Sequence, residues 1–181
     1  LAFMRIVSGR LKGRSIRTPK NLPVRPTTDF AKEALFNVLQ NEIDFEQESF
    51  LDLFCGTGNI SYEMASRGCN EILALDQSPA CVRFVKETFR SLEIKGRVQQ
   101  QDVLRFLNRN SHESYSLIFA DPPYQMEGIE NIPTKILENS WLKSGGQFIL
   151  EHSAKLDFNE QKGFRESRKY GHVNFSFFEY I

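Results

Sequence analysis

The sequence predicts an α/β domain built on a doubly wound, mostly parallel, seven-stranded sheet, with a C-terminal antiparallel hairpin and a small basic β-hairpin at its N-terminal end. Three observations predict it. Short apolar runs alternate with amphipathic helical patterns from residue 28 to residue 151, with short links; parallel strands joined by crossover helices read this way. Glycines or single acids stand where the apolar runs stop, at Gly56, Asp76, Asp102 and Asp121. Those are the strand carboxyl ends, where open α/β sheets hold their ligands. Finally, residues 165–170 and 173–180 flank Gly171 without a helical pattern, as a hairpin would.

The elements follow in order. Residues 4–18 alternate around Gly9 and Gly13 and read as a hairpin with a cationic outer face, and Pro19, Pro23 and Pro26 carry the chain on as an extended link. A helix is expected from about Thr28 to Gln40, capped by Thr28 or Asp29, with Phe30, Ala31, Ala34, Leu35, Val38 and Leu39 on one face. Residues 50–54 form the first sheet strand, ending in Gly56-Thr57-Gly58, and a short helix runs to Arg67, stopped by Gly68. Residues 72–75 form the second strand, and Ser78-Pro79 opens a helix with Phe84, Val85, Phe89 and Leu92 on one face. Residues 97–99 are a weaker strand before Asp102, with a short helix over 103–109. The fourth strand, 116–120, runs into Asp121-Pro122-Pro123-Tyr124, a helix starts near Pro133, and Gly145-Gly146 leads to a fifth strand over 147–151.

With 181 residues, one domain is expected, divided into residues 4–26 as basic hairpin and linker and 27–181 as the main domain. Leu1-Ala2-Phe3 reads as an addition ahead of Met4, the expected natural start. Hydrophobic residues make up 40% of the chain and 16 are Phe, which describes a core rather than disorder. No apolar run nears the ~18 residues of a membrane span and no signal-peptide pattern opens the chain, so a monomer in the cytoplasm, away from membranes, is expected. Cys55, Cys69 and Cys81 are odd in number and lack C-x-x-C spacing, which fits a reduced protein without structural zinc, and His112, His152 and His172 show no metal spacing. The net charge of zero hides an asymmetry. Between Met4 and Thr28 lie seven basic residues (Arg5, Arg10, Lys12, Arg14, Arg17, Lys20, Arg25) and no acidic one. Such an arm is suited to a polyanion, with nucleic acid the natural partner.

Asp121-Pro122-Pro123-Tyr124 is the stretch with the most specific chemistry. Two prolines fix the backbone and remove two donors, leaving carbonyl acceptors. A carboxylate, a rigid carbonyl and an aromatic face suit a planar group carrying an NH2, with Asp121 and the Pro122 carbonyl each accepting one amino hydrogen and Tyr124 stacking on the ring. At the other candidate site, Gly56-Thr57-Gly58 allows close backbone approach at a helix start. Asp76, 18 residues past Gly58, can accept hydrogen bonds from both hydroxyls of a ribose, and Asp102 is a third polar group at the same edge. The turn carries Ser61 where a dinucleotide-binding turn wants its third glycine. That disfavours NAD and favours S-adenosylmethionine, which has no phosphate and carries a cationic amino group suited to Asp52.

With these residues in place the chain resembles the class I, Rossmann-like S-adenosylmethionine-dependent methyltransferases. More narrowly, it resembles the RsmD-type bacterial enzymes that methylate the N2 amino group of a guanine in small-subunit (16S) ribosomal RNA. The resemblance rests on Met4-Arg-Ile-Val-Ser-Gly-Arg-Leu-Lys-Gly-Arg, on Arg25-Pro-Thr-Thr-Asp-Phe-Ala-Lys-Glu-Ala-Leu-Phe-Asn-Val-Leu, on Asp52-Leu-Phe-Cys-Gly-Thr-Gly and on Asp121-Pro-Pro-Tyr, and covers residues 4–181. It implies that Gly56 and Gly58 line the methionine part of the cofactor, Asp76 the ribose, and Asp102 with Val103 the adenine, with Asp52 and Gln77 also counted among the cofactor-binding residues. Asp121, Pro122 and Tyr124 would hold the target base, and Arg5, Arg10, Lys12, Arg14, Arg17 and Arg25 would grip RNA phosphates, in naked RNA or in a small-subunit assembly particle. Cys55 stands where the family often has alanine, and the segment after Tyr124 is short.

Three other readings compete: an amino methyltransferase acting on adenine or on a protein glutamine, a non-catalytic RNA-binding assembly factor with a disused pocket, and, more distantly, an NAD oxidoreductase. Glu151-His152 ends the fifth strand near the pocket edge without an assigned role, and Trp141, Phe175, Phe177 and Phe178 read as packing residues.

Overall fold

The alternation of apolar runs and helices is realised in the computed structural model, which describes residues 2–24 and 27–180. Arg25 and Pro26, the start of the Arg-Pro-Thr-Thr motif, lie outside the described residues, so the role expected of Arg25 is not placed. In chain order the elements are β1 (Ala2–Arg5), β2 (Ser15–Thr18), α1 (Asp29–Leu39), β3 (Ser49–Asp52), α2 (Asn59–Ser66), β4 (Glu71–Asp76), α3 (Pro79–Ser91), β5 (Arg97–Gln100), α4 (Val103–Leu107), β6 (Tyr115–Ala120), α5 (Ile132–Glu138), β7 (Leu142–His152), β8 (Phe164–Tyr170) and β9 (Val173–Glu179). β1 and β2 pair by themselves, antiparallel; the other seven strands form one sheet in the order β5-β4-β3-β6-β7-β9-β8. β5, β4, β3, β6 and β7 run parallel, and β9 enters antiparallel between β7 and β8.

Both faces are covered, as a parallel sheet requires. Phe50 and Leu51 of β3 point to opposite sides: Phe50 joins a core with α1, α2 and α3, and Leu51 joins a second core with α4 and α5. Phe175 and Phe177 of β9 pack into the first core and Phe178 into the second, with Trp141 stacked on Phe106 at 4.2 Å. The chain order reverses direction across the sheet at β3 and β6, so the loops following these two neighbours open a crevice at the sheet's carboxyl edge.

The basic hairpin has short strands and a wide loop over residues 6–14, and that loop is fastened to α2. The Glu63 carboxylate accepts from the backbone N–H groups of Val7 (2.9 Å) and Ser8 (3.0 Å). The Ser66 carbonyl accepts from Arg10 N–H (2.8 Å), and its hydroxyl oxygen accepts from Leu11 N–H (2.9 Å). Met4, Ile6, Leu11 and Ile16 are buried in the first core while Arg5, Lys12, Arg14 and Arg17 face out. Gly9 makes this docking possible: at φ +81°, a Cβ there would stand 1.8 Å from the Ser66 carbonyl oxygen.

Two expectations need correction. Phe30 does not share the buried face of α1; it is 65% exposed and touches Tyr170 only edge-on, at 6.5 Å, because it sits at the margin of the stripe formed by Ala31, Leu35, Val38 and Leu39. β7 is also longer than expected, starting at Leu142, with a register shift between its pairings to Tyr115 and Leu117 that absorbs Gly145-Gly146.

Candidate active site

Asp52 and Asp121 are brought together by strand register. Asp52 pairs with Phe119, so β3 and β6 end side by side and release the glycine turn and the Asp-Pro-Pro-Tyr corner into one crevice. Its volume is about 1080 Å³, and it is lined by Asp52, Gly56, Asp76, Gln77, Asp102, Val103, Asp121, Pro122 and Tyr124, among others. Gly58 shapes the turn rather than the lining. It caps α2 at φ +84°, and a Cβ there would lie 2.5 Å from the Tyr62 ring. Arg5, Arg10, Lys12, Arg14 and Arg17 stand outside the crevice. Arg10 is partly committed, since its guanidinium donates to the Leu92 and Glu93 carbonyls at the end of α3.

The acids differ in how they are held. Asp52 is 1% exposed; one of its oxygens accepts a 2.7 Å hydrogen bond from the Ser61 hydroxyl and the other, Oδ1, meets no partner among the described residues. Burial, with Asp76 and Asp121 adding like charge, pushes its carboxyl up to about 7. Asp76 is the scaffold of the turn, accepting from Gly56 N–H (2.9 Å) and Ser78 N–H (2.8 Å) with different oxygens. Each oxygen retains capacity for a further bond. Asp102 is exposed and caps α4 by accepting from Arg105 N–H at 3.0 Å.

At the other end of the crevice Asp121 is half-buried, Pro122 buried and Tyr124 46% exposed. Burial and the neighbouring Glu151 charge push Asp121 well above the usual carboxylate range. Glu151 is the residue that sequence reasoning passed over. Ala120 pairs with Leu150, so Asp121 and Glu151 are the next residues on adjacent parallel strands and leave the sheet on the same side. Thr27 lines the crevice beside both carboxylates. Lys32, also unremarked, is 1% exposed; it donates to the Arg5 carbonyl and to Asn59 Oδ1 (2.9 Å), while Asn59 donates to the Thr27 carbonyl (3.0 Å). Burial lowers the Lys32 pKa.

The described lining carries five acids, Asp52, Asp76, Asp102, Asp121 and Glu151, and no Lys, Arg or His. A pyrophosphate would be repelled here, which sets aside the NAD reading. A cationic guest is favoured, and the orphaned, buried Asp52 oxygen is one hydrogen bond short of satisfaction. S-adenosylmethionine, with a sulfonium, an ammonium and a ribose but no phosphate, fits this donor and acceptor set.

A family model described as "Conserved hypothetical protein 95" matches residues 4–179. The chain belongs to this family. Among its relatives, YlbH of Bacillus subtilis, whose name assigns it provisionally to rRNA methylation, is 32% identical over 164 residues, spanning 88% of each chain. Ribosomal RNA small subunit methyltransferase D of Escherichia coli is 29% identical over 149 residues, covering 82% of this chain and 74% of its own. Among solved structures, the Thermus thermophilus 16S rRNA N2 G1207 methyltransferase RsmC, in complex with AdoMet and guanosine, superposes with a TM-score of 0.76 at 20% identity, over 99% of this chain and 50% of that one. That likeness establishes the Rossmann-like methyltransferase fold for the family member described above.

Proposed function

We propose that this protein transfers a methyl group from S-adenosylmethionine to the exocyclic N2 amino group of a guanine in small-subunit ribosomal RNA. The observation that carries the reading is the acidic crevice lined both by Asp52, with its unpartnered buried oxygen, and by the Asp121-Pro122-Pro123-Tyr124 corner, at adjacent strand ends. The names of the relatives, both concerned with rRNA methylation, supply the substrate class.

When bound, the cofactor supplies an electrophilic methyl group. The remaining work falls to the protein. Asp52 holds the ammonium end, Asp76 and Gln77 the ribose, Asp102 and Val103 the adenine, with the Gly56–Gly58 turn close against the methionine part. An exocyclic amino nitrogen is a weak nucleophile because its lone pair is delocalised into the ring. Acceptance of its two hydrogens by Asp121 and the Pro122 carbonyl favours a pyramidal nitrogen aimed at the methyl carbon, catalysis by positioning and electrostatics. As the N–C bond forms and the S–C bond breaks, the extra proton on nitrogen passes to Asp121 or to water. Such a pocket admits only an unpaired or flipped base, and the exposed Tyr124 ring replaces its lost stacking. The outward face of the hairpin, with Arg5, Arg10, Lys12, Arg14 and Arg17, contacts phosphates without reading sequence.

Nucleoside mass spectrometry of 16S RNA from cells with and without the gene tests the reading. Loss of one N2-methylguanosine in the deletion strain, restored by the purified protein on unmodified small subunits, is the expected result; identical nucleoside profiles would overturn it.

A further inference from the structure

The mechanism above leaves one crevice carboxylate unused. Glu151 is 5% exposed; its Oε1 accepts a long, 3.4 Å hydrogen bond from the Tyr124 hydroxyl, and its Oε2 has no partner among the described residues. A buried carboxylate with an empty oxygen, on the same side of the sheet as Asp121 and with no described cation in the lining, is a costly arrangement for stability alone. A donor supplied by a ligand offsets that cost, and the long Tyr124 contact is readily exchanged when a base enters against the ring.

Resting on the guanine-N2 reading, we propose that Glu151 selects guanine by accepting the ring N1–H of the target base. The Watson–Crick edge of guanine presents three donor hydrogens in a row, one on N1 and two on N2. Glu151, Asp121 and the Pro122 carbonyl offer three acceptors from two adjacent strand ends. Adenine also carries an amino group, but its N1 is an acceptor, and against Glu151 it would place lone pair against lone pair. Asp121 and Pro122 alone accept either amino group, so discrimination between the two purines falls to Glu151.

Two carboxylates side by side in a poorly solvated site do not readily ionise together. Burial pushes Glu151 up to about 7, with Asp121 and Tyr124 the titratable groups facing it and Thr27 beside it. The pair therefore holds its last proton to higher pH than an ordinary carboxylate does, and acceptance of the base strengthens as pH rises.

The experiment compares the unaltered protein with Glu151→Gln on small subunits from deletion cells, and on subunits in which the target guanine, located by nucleoside mass spectrometry, is replaced by 2-aminopurine. That base keeps the N2 amino group but has an unprotonated N1. The unaltered protein should prefer guanine by about 10- to 100-fold in kcat/KM. Glu151→Gln, whose amide can donate to an unprotonated N1, should narrow the preference to about threefold, and should move the rising pH limb down because Asp121 loses its negative neighbour. If Glu151→Gln does not fold, Glu151→Ala, which removes both the acceptor and the charge, should likewise narrow the preference and move the limb down, with S-adenosylmethionine affinity as the check on integrity. An unchanged base preference overturns the proposal, as does a loss of rate that leaves preference and pH limb in place. Failure of the unaltered protein to form N2-methylguanosine would instead sink the reading on which it rests.

Discussion

The Ser61 hydroxyl donates a 2.7 Å hydrogen bond to one oxygen of the buried Asp52 carboxylate, while the other oxygen has no partner among the described residues. A group held this way reports on its guest. With its pKa raised to about 7 by burial, Asp52 is largely protonated at pH 6 in the free protein, and a cationic amino group draws it into the ionised form. Affinity for S-adenosylmethionine is therefore expected to fall about tenfold per pH unit below 7, with a proton released on binding at pH 6. Calorimetry in buffers of different ionisation enthalpy measures both; pH-independent affinity with no proton release would contradict the assignment.

The same residue has a stability consequence of opposite sense. An acid whose folded pKa lies above its unfolded value binds more protons folded than unfolded between the two, so stability falls as pH rises from about 4 to 7. Above pH 7 the full penalty is present. Asp52→Asn should melt higher than the unaltered protein at pH 8, with the gain shrinking toward pH 5, while cofactor binding is lost. Thermal melts across that range decide it.

Asp121→Ala is expected to lower the rate of methyl transfer by roughly 10²–10³ or more, the scale of losing a preorganised electrostatic partner, while cofactor affinity changes little because Asp52 and Asp76 remain. A tritiated-methyl assay paired with cofactor titration separates the two. Near-normal turnover would remove Asp121 from the reaction.

Gly9 and Gly13 share left-handed backbone but not surroundings. A Cβ on Gly9 would collide with the Ser66 carbonyl, whereas a Cβ on Gly13 would meet nothing within 4 Å. Gly13→Ala should cost only the backbone strain, about 1 kcal/mol, and Gly9→Ala at least about 2 kcal/mol through loss of the loop's docking on α2. Chemical denaturation of the two variants should rank them in that order; equal losses would mean that the docking contributes nothing.

Replacing Arg14 or Arg17 by Gln should weaken RNA binding without altering cofactor affinity, lowering the slope of log affinity against log salt by about 0.7–0.9 per contact. Arg10→Gln should do the same and also loosen the end of α3, because its guanidinium serves the Leu92 and Glu93 carbonyls. Filter binding over a salt series measures the slopes; unchanged ones would move the RNA to another face.

The sheet and its ligand edge were legible because their signals are local. Residues 50–54 and 116–120 are apolar runs that end in residues with no reason to continue a strand, so Gly56 and Asp121 marked the crevice before any contact was visible. Lys32 was illegible because its burial depends on a carbonyl of β1 and on Asn59 of α2, both about 27 residues away. Glu151 was seen as a strand end near the pocket edge but given no role; its bearing on Asp121 follows from the pairing of Ala120 with Leu150, which is a matter of register. Phe30 misled because periodicity locates a helix face but not its margins.

The fastening of the residue 7–11 loop to Glu63 and Ser66 has a consequence for what an RNA would experience. The cationic arm is not a free tether: it is bolted to the helix whose first turn follows Gly58, so grip and pocket keep a constant spacing. An RNA strand held by the arm would in effect be gauged by a caliper, and a nucleotide at the wrong distance from the clamped phosphates would miss the jaw however well its base fitted.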